Sequence, residues 1–336
     1  MPDTFDYTTP RQPTWRVTLT NVPYITILLC SLCVVMTAAY LIPPQTFLTP
    51  DLPAYRLWEH LGHLAYHSSS EIWEGRYDGL VTTMFLHGSL PHIVFNLMWL
   101  FQLGQMLELT LGRWRYLAFV LVAAVVGSCS QILVSGATGI GASGVVYALF
   151  GLMWAGRGSF PAWRTIATPK NLQIFVIWGI FCVVATLTHL LNIGNGAHGG
   201  GFLFGLSIGS LFLAPRRKLL WSLPLAALLV GCILSLTYLP WSAEWLFWKG
   251  NRDFEKGRYQ QAISWYHQSL DRGDPSPETW ANIANAWESI ADTALQKHDL
   301  ATVARAEKEV KAAMLKAVPT PEPKPTEAGA EDDDRR

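Results

Sequence analysis

Seven apolar stretches, most of them close to the length of a membrane-crossing helix, occupy the chain up to Leu239. A helix needs about 20 mainly apolar residues to cross the hydrocarbon core of a bilayer, and it satisfies all of its own backbone polar groups there. The stretches are Pro23–Ile42, Ile93–Leu111, Tyr116–Val134, Ser143–Trp154, Leu172–Leu191, His198–Leu213 and Leu219–Leu239. The sequence therefore predicts an all-α membrane protein with seven spans.

Composition agrees with this prediction and excludes several other classes. Of the 336 residues, 50% are hydrophobic and 15% are charged, whereas a soluble domain carries about 25% charged residues. There is no basic patch of the kind that binds nucleic acid. All five cysteines lie within apolar runs, which favours packing residues over a disulfide framework or a zinc site. We predict no cofactor and no metal.

Positive charge is distributed unequally between the loops. With seven spans, four groups of Lys and Arg fall on one side of the membrane, which makes that side cytoplasmic: Arg11 and Arg16; Arg113 and Arg115; Arg157, Arg164 and Lys170; and Arg216 to Lys218. We therefore expect a multi-pass protein of the cell (inner) membrane with a cytoplasmic N-terminus. The opposite side holds the long loop 43–90 and the beginnings of the spans at Ser143 and His198.

Three histidines in the outer loop have helical spacing. His60, His63 and His67 could present three imidazoles near one helix face and bind a metal, or they could simply belong to an interfacial surface. No carboxylate-bearing metalloprotease motif accompanies them, so the interfacial interpretation is preferred.

Two short motifs carry the chemistry. Ser143 lies in Gly141-Ala142-Ser143-Gly144 where an apolar helix begins, and free backbone N–H groups at a helix start favour a developing oxyanion. His198 opens a glycine-rich helix in the same leaflet, and Gly201, Gly205 and Gly209 would form a close-packing face on that helix. A serine beside an imidazole is the minimum for nucleophilic catalysis. The alternatives are a serine at a helix contact and a histidine bonded to a loop.

Three further side chains are candidates for supporting roles. Tyr147 follows Ser143 by one helical turn and could stack on the imidazole, or it could be a core residue. His92 and Asn96 share a helix face and could donate to an oxyanion together with the Ser143 amide, although Asn96 could also be a helix-packing residue.

These motifs, in this order and with Gly104 and Glu108 in the same helix as Asn96, resemble the rhomboid family of intramembrane serine proteases over residues 23–239. The resemblance implies a six-helix bundle plus a seventh helix and a catalytic dyad without aspartate. By motif match Ser143 is the nucleophile, His198 is the general base, and His92 and Asn96 belong to the oxyanion site. Tyr147 then matches the family's tyrosine, and His87 its outer-loop histidine.

The sequence departs from the family at one place. Rhomboids often have Trp-Arg shortly before the outer-loop histidine, where this chain has Asp78-Gly79. This departure affects the packing of the outer loop, for which Trp73 and Arg76 could compensate.

After Trp241 the sequence becomes amphipathic and soluble in character. Two stretches, beginning at Gly250-Asn251 and at Trp280, match the tetratricopeptide period of about 34 residues. They predict a small helical repeat domain, outside the cytoplasm, that recruits a protein partner or a substrate domain. The predicted divisions are a polar segment 1–22, the six-helix domain 23–214, the seventh helix 215–241, the repeat domain 242–318 and a disordered tail 319–336.

The function expected from the resemblance is cleavage of membrane proteins in or near their transmembrane segments. Two rivals are an inactive rhomboid-like protein that binds or escorts membrane clients, and a transporter or channel. A transporter needs intramembrane charge along a path, and Glu108 is the obvious candidate for such a charge.

Overall fold

The computed structural model describes residues 22–46, 49–213, 218–274 and 276–317. The predicted segment 1–22, apart from its last residue, and the predicted tail 319–336 lie outside the described residues. Contacts divide the chain into two compact units, Met1–Tyr238 and Leu239–Arg336. The described residues form helices and turns without a β-strand.

The first unit contains ten α-helices among its described residues, and a helix lies at each of the seven predicted spans. These helices are α1 (Tyr24–Leu41), α2 (Pro53–Ala65), α3 (Ser69–Trp73), α4 (Gly79–Thr82), α5 (Leu90–Leu111), α6 (Arg113–Ser135), α7 (Ser143–Gly156), α8 (Pro169–Leu187), α9 (Asn195–Leu213) and α10 (Lys218–Thr237). Short 3-10 turns occur at Pro44–Thr46, Thr83–Phe85 and Pro161–Thr165. The chain is an all-α membrane protein.

Four of the described helices are long and apolar enough to cross a membrane. They are Tyr24–Leu41, Arg113–Ser135, Pro169–Leu187 and Leu220–Thr237. A fifth candidate is α5 together with the segment Gly79–Phe85, which meets it at a bend of 103°. The total of seven spans stays a prediction.

Helix α7 is short and almost entirely buried. Its 14 residues extend about 21 Å at 1.5 Å per residue, which is less than the hydrocarbon thickness. It is apolar on all sides, as expected of a helix surrounded by protein. Its own residues Leu149 and Phe150 are fully buried in the core of the unit.

Glycines bring α9 into backbone contact with α7. A side chain at Gly201 would collide with the Gly144 carbonyl, and one at Gly205 would collide with the Ala148 carbonyl. Gly209 meets Leu152 and Ala155 in the same way. The predicted close-packing face is therefore confirmed, and α7 is its partner.

Glu108 fixes the start of α1. Its buried carboxylate accepts hydrogen bonds from the Ile25 amide (2.9 Å), the Thr26 amide (2.8 Å) and the Thr26 hydroxyl (2.8 Å). The residue before α1, Pro23, supplies no side-chain cap, so a carboxylate from α5 satisfies amides that a helix start leaves free.

The second unit consists of four amphipathic helices among its described residues. They are α11 (Ala243–Glu255), α12 (Tyr259–Asp271), α13 (Pro277–Gln296) and α14 (Leu300–Ala317). Tyr266, Ile283 and Trp287 are buried in their own core, and the ring of Tyr266 packs directly on Gly250. Classification as tetratricopeptide repeats stays a prediction.

Candidate active site

Ser143 and His198 meet across the contact between α7 and α9. The Nε2 atom of His198 lies 2.8 Å from the Ser143 hydroxyl oxygen. Ser143 is the first residue of α7, as predicted, whereas α9 begins three residues before His198, at Asn195. His198 is 7% exposed, so the imidazole is largely shielded from bulk water, while Ser143 is partly exposed.

The imidazole has no second polar partner among the described residues. Its Nδ1 atom is buried and makes no hydrogen bond there. For Nε2 to accept the Ser143 proton, the neutral ring must carry its own proton on Nδ1. The arrangement is therefore a pair of residues and lacks the carboxylate that orients the histidine of a triad.

Tyr147 stacks on the imidazole. The two ring centroids are 4.7 Å apart and the planes differ by 17°, while the tyrosine hydroxyl donates to the Phe175 carbonyl at 3.0 Å. Helix α8, which carries Phe175, thus holds the tyrosine ring against His198. This contact restricts rotation of the histidine without supplying a charge.

His92 and Asn96 lie against Gly141, two residues before Ser143. A side chain at Gly141 would collide with Nε2 of His92 and come near the amide nitrogen of Asn96. One N–H of that amide donates to the His92 carbonyl at 2.9 Å, so the second remains for another acceptor. The candidate oxyanion groups thus surround the loop that enters α7.

The loop before Ser143 is fixed by a relay from α1. The Ala142 amide donates to Nε2 of His87 at 3.4 Å, so the proton of a neutral ring is on Nδ1, which lies 3.3 Å from the Thr37 hydroxyl. Thr37 donates in turn to the Phe85 carbonyl at 3.0 Å. His87 is fully buried and holds the loop through the Ala142 amide.

Gln131 is a site residue that sequence reasoning missed. Its side-chain oxygen accepts from the Gly196 amide (2.9 Å) and the Ala197 amide (3.3 Å), which fixes the first turn of α9 beside His198. A signal was present, because a polar side chain inside an apolar span marks a site of interest.

A small cavity adjoins the nucleophile. Its volume is about 30 Å³, and its lining includes Thr83, Gln131, Gly141, Ser143 and Ala197. A cavity needs about 10–15 Å³ to hold one water molecule. The site therefore has room for a water molecule beside Ser143.

The three outer-loop histidines do not converge. Helix α2 ends at Ala65, and His67 lies beyond it with its ring toward Asp78, while His60 and His63 are exposed. Among the described residues no group of three or more His, Cys, Asp or Glu side chains could hold a metal ion.

Comparison with known proteins agrees with the membrane fold. A family model described as Rhomboid domain matches residues 70–215. A rhomboid protease GlpG of Yersinia pestis (strain Pestoides F) is 41% identical over 147 residues, which cover 42% of this chain and 49% of the relative. That of Yersinia enterocolitica serotype O:8 is 40% identical over 130 residues, covering 38% and 45%.

The chain spans about half the length of the curated relatives that it matches. It is an integral membrane protein whose helical bundle places a serine beside a buried histidine. It contains a rhomboid domain at residues 70–215.

Gly141 offers a direct test of the loop geometry. Its φ is +116°, a region that costs other residues about 1–3 kcal/mol, and a β-carbon there would displace His92. We expect Gly141→Ala to slow fluorophosphonate labelling of the protein at least about tenfold, as about 1.4 kcal/mol implies, with α-helix content unchanged. Gly158→Ala is the control, because a β-carbon at Gly158 meets open space. Equal labelling rates of Gly141→Ala and Gly158→Ala would contradict the importance of the close contact between Gly141 and His92.

Proposed function

We propose that the protein is an intramembrane serine endopeptidase that cleaves membrane proteins in or near their transmembrane segments. The observation that carries this proposal is the 2.8 Å approach of His198 Nε2 to the Ser143 hydroxyl oxygen, which is within the range expected for an activated nucleophile. The relatives named rhomboid protease support it.

In the proposed reaction Ser143 attacks the carbonyl carbon of the scissile peptide bond while His198 takes the serine proton. The carbonyl oxygen becomes an oxyanion, which the Ser143 amide and the side chains of Asn96 and His92 stabilise as hydrogen-bond donors. His198 then gives the proton to the leaving nitrogen, and the C–N bond breaks.

Water completes the cycle. It attacks the acyl-enzyme with His198 as base, and the acid product leaves Ser143 free. Entry of this water into the cavity beside Ser143 would need no further cofactor.

Two rival functions have less support. A protein that only binds membrane clients has no need of a serine and histidine within hydrogen-bond distance. A transporter would use a buried charge along a path, but Glu108 caps α1 through three hydrogen bonds, which suits a structural role.

The direct test is cleavage of a reporter with one transmembrane segment by the purified full-length protein in proteoliposomes. We expect Ser143→Ala and His198→Ala each to reduce cleavage at least about a thousandfold, as loss of either partner does in soluble serine proteases. Ser264→Ala on α12 and His63→Ala in the outer loop are matched controls, because both side chains are exposed.

Cleavage that persists in Ser143→Ala would refute the proposed mechanism. A folded wild-type protein that cleaves no reporter but binds it with measurable affinity would instead favour the client-binding function.

We also propose that the second unit recruits a protein partner or a substrate domain. An open groove of about 550 Å³ runs between the beginning of α12, the end of α13 and the beginning of α14. Such a concave surface between paired helices suits a peptide segment.

Deleting residues 243–336 should therefore change the choice among full-length membrane substrates and leave cleavage of the single-segment reporter within about twofold. The comparison is a competition assay between two substrates that differ in their extramembrane domains. Complete loss of reporter cleavage by a folded, labelled variant would contradict this division of roles.

A further inference from the structure

The outer loop contains a buried histidine that the proposed reaction does not use. His67 is 1% exposed, and its Nε2 atom lies 3.0 Å from Asp78 Oδ2 and 3.0 Å from Arg76 Nη2. Its Nδ1 atom is 3.6 Å from Glu71 Oε1. The chain departs from its family at Asp78-Gly79, so this cluster occupies the place where rhomboids often have Trp-Arg.

The Nε2 atom of His67 cannot be a hydrogen-bond donor to Asp78 and an acceptor from Arg76 in the same protonation state. An unprotonated Nε2 accepts from the Arg76 guanidinium, whereas a protonated Nε2 donates to the Asp78 carboxylate. His67 is therefore held in either protonation state, but by different partners.

The backbone of His67 reaches the loop that leads to Ser143. Its carbonyl accepts a hydrogen bond from the Thr138 hydroxyl at 3.0 Å, and Thr138 lies between α6 and α7. Three residues later, the Gly141 amide donates to the Thr83 carbonyl at 3.1 Å. The segment in front of Ser143 is thus tied to the outer loop at both positions.

The His67 ring is connected through Gly79 and Thr83 to the hydrogen bond that holds Gly141. Gly79, the first residue of α4, packs so closely on His67 that a side chain there would collide with the ring. The Thr83 hydroxyl bonds the Gly79 carbonyl at 2.8 Å, and Thr83 is the residue that holds Gly141. A displacement of the His67 ring therefore acts on both anchors of the loop.

We propose that His67 is a positioning residue for the reaction at Ser143, acting through Thr138 and Gly79 to hold residues 136–142 in place. This inference rests on the proposed function. The two states of the ring then hold the loop with different partners, and turnover depends on which partner is engaged.

The two carboxylates beside the His67 ring keep their charge near neutral pH. The hydrogen bond from Arg76 lowers the pKa of Asp78, and the Ser68 backbone amide lowers that of Glu71. Both carboxylates therefore stay ionised between pH 5 and 8, where histidine ordinarily titrates. Among the described residues, Glu71, Asp78 and Arg76 are the charged groups recorded in contact with the ring.

The test compares kcat, KM and pH profiles of the full-length protein in proteoliposomes. His67→Ala and Thr138→Val should each lower kcat about fivefold to tenfold, as expected for loss of one hydrogen bond, with KM within about twofold. His67→Ala removes the ring but keeps the carbonyl that accepts from Thr138. The double variant should therefore lose less than the product of the two single losses, because both changes weaken the hold on residues 136–142. His63→Ala, an exposed histidine on α2, is the control.

A conservative variant separates positioning from folding. Glutamine at position 67 offers an acceptor for Arg76 and a donor for Asp78 without titrating. His67→Gln should therefore recover kcat but change its dependence on pH, because glutamine has a single protonation state. Hydrogen exchange of residues 136–142 should quicken in His67→Ala and Thr138→Val, but not in His63→Ala.

These measurements distinguish failure of the proposed role of His67 from failure of the proposed function. Wild-type kcat in His67→Ala, additive losses in the double variant, or an unchanged pH profile in His67→Gln would each overturn the role of His67. A wild type whose cleavage equals that of Ser143→Ala would refute the proposed function itself, and the exchange measurement would still report on the connection between His67 and the loop.

Discussion

The close approach of α7 and α9 is the constraint on which the site depends. Glycine at positions 201 and 205 allows the two backbones to touch at Gly144 and Ala148. Lipid tails are as apolar as leucine side chains, so helices in a bilayer gain from tight van der Waals packing and backbone proximity. Because Ser143 and His198 precede these contacts on their helices, the same packing brings a hydroxyl within 2.8 Å of an imidazole.

The second requirement is that polar groups inside an apolar bundle find partners. Gln131 accepts hydrogen bonds from two backbone amides at the start of α9, and Glu108 accepts from two at the start of α1. His87 accepts a hydrogen bond from the backbone amide of the residue before Ser143. Each of these side chains fixes a helix end or a loop, where the backbone lacks internal partners. Gln131 and His87 thus stabilise the backbone around Ser143 and His198, and His198 keeps one unpaired nitrogen among the described residues.

Much of this arrangement follows from local sequence. Apolar length predicts the helices, the spacing of Gly201, Gly205 and Gly209 predicts a close contact, and Ser143 at a helix start is confirmed. Sequence does not identify which helix receives that contact, because partner choice depends on packing over the whole bundle. The environment of His67 was also missed: α2 ends before it, and its neighbours come from a turn whose conformation no periodic pattern encodes.

The central claim is that Ser143 is the nucleophile that His198 activates. It is tested most directly by treating the full-length protein with a fluorophosphonate, digesting it and identifying the modified residue by mass spectrometry. The account predicts a single phosphonylated serine at position 143, absent when His198 is replaced by alanine in a folded variant. An adduct on a different serine, or equal modification of Ser143 without His198, would contradict it.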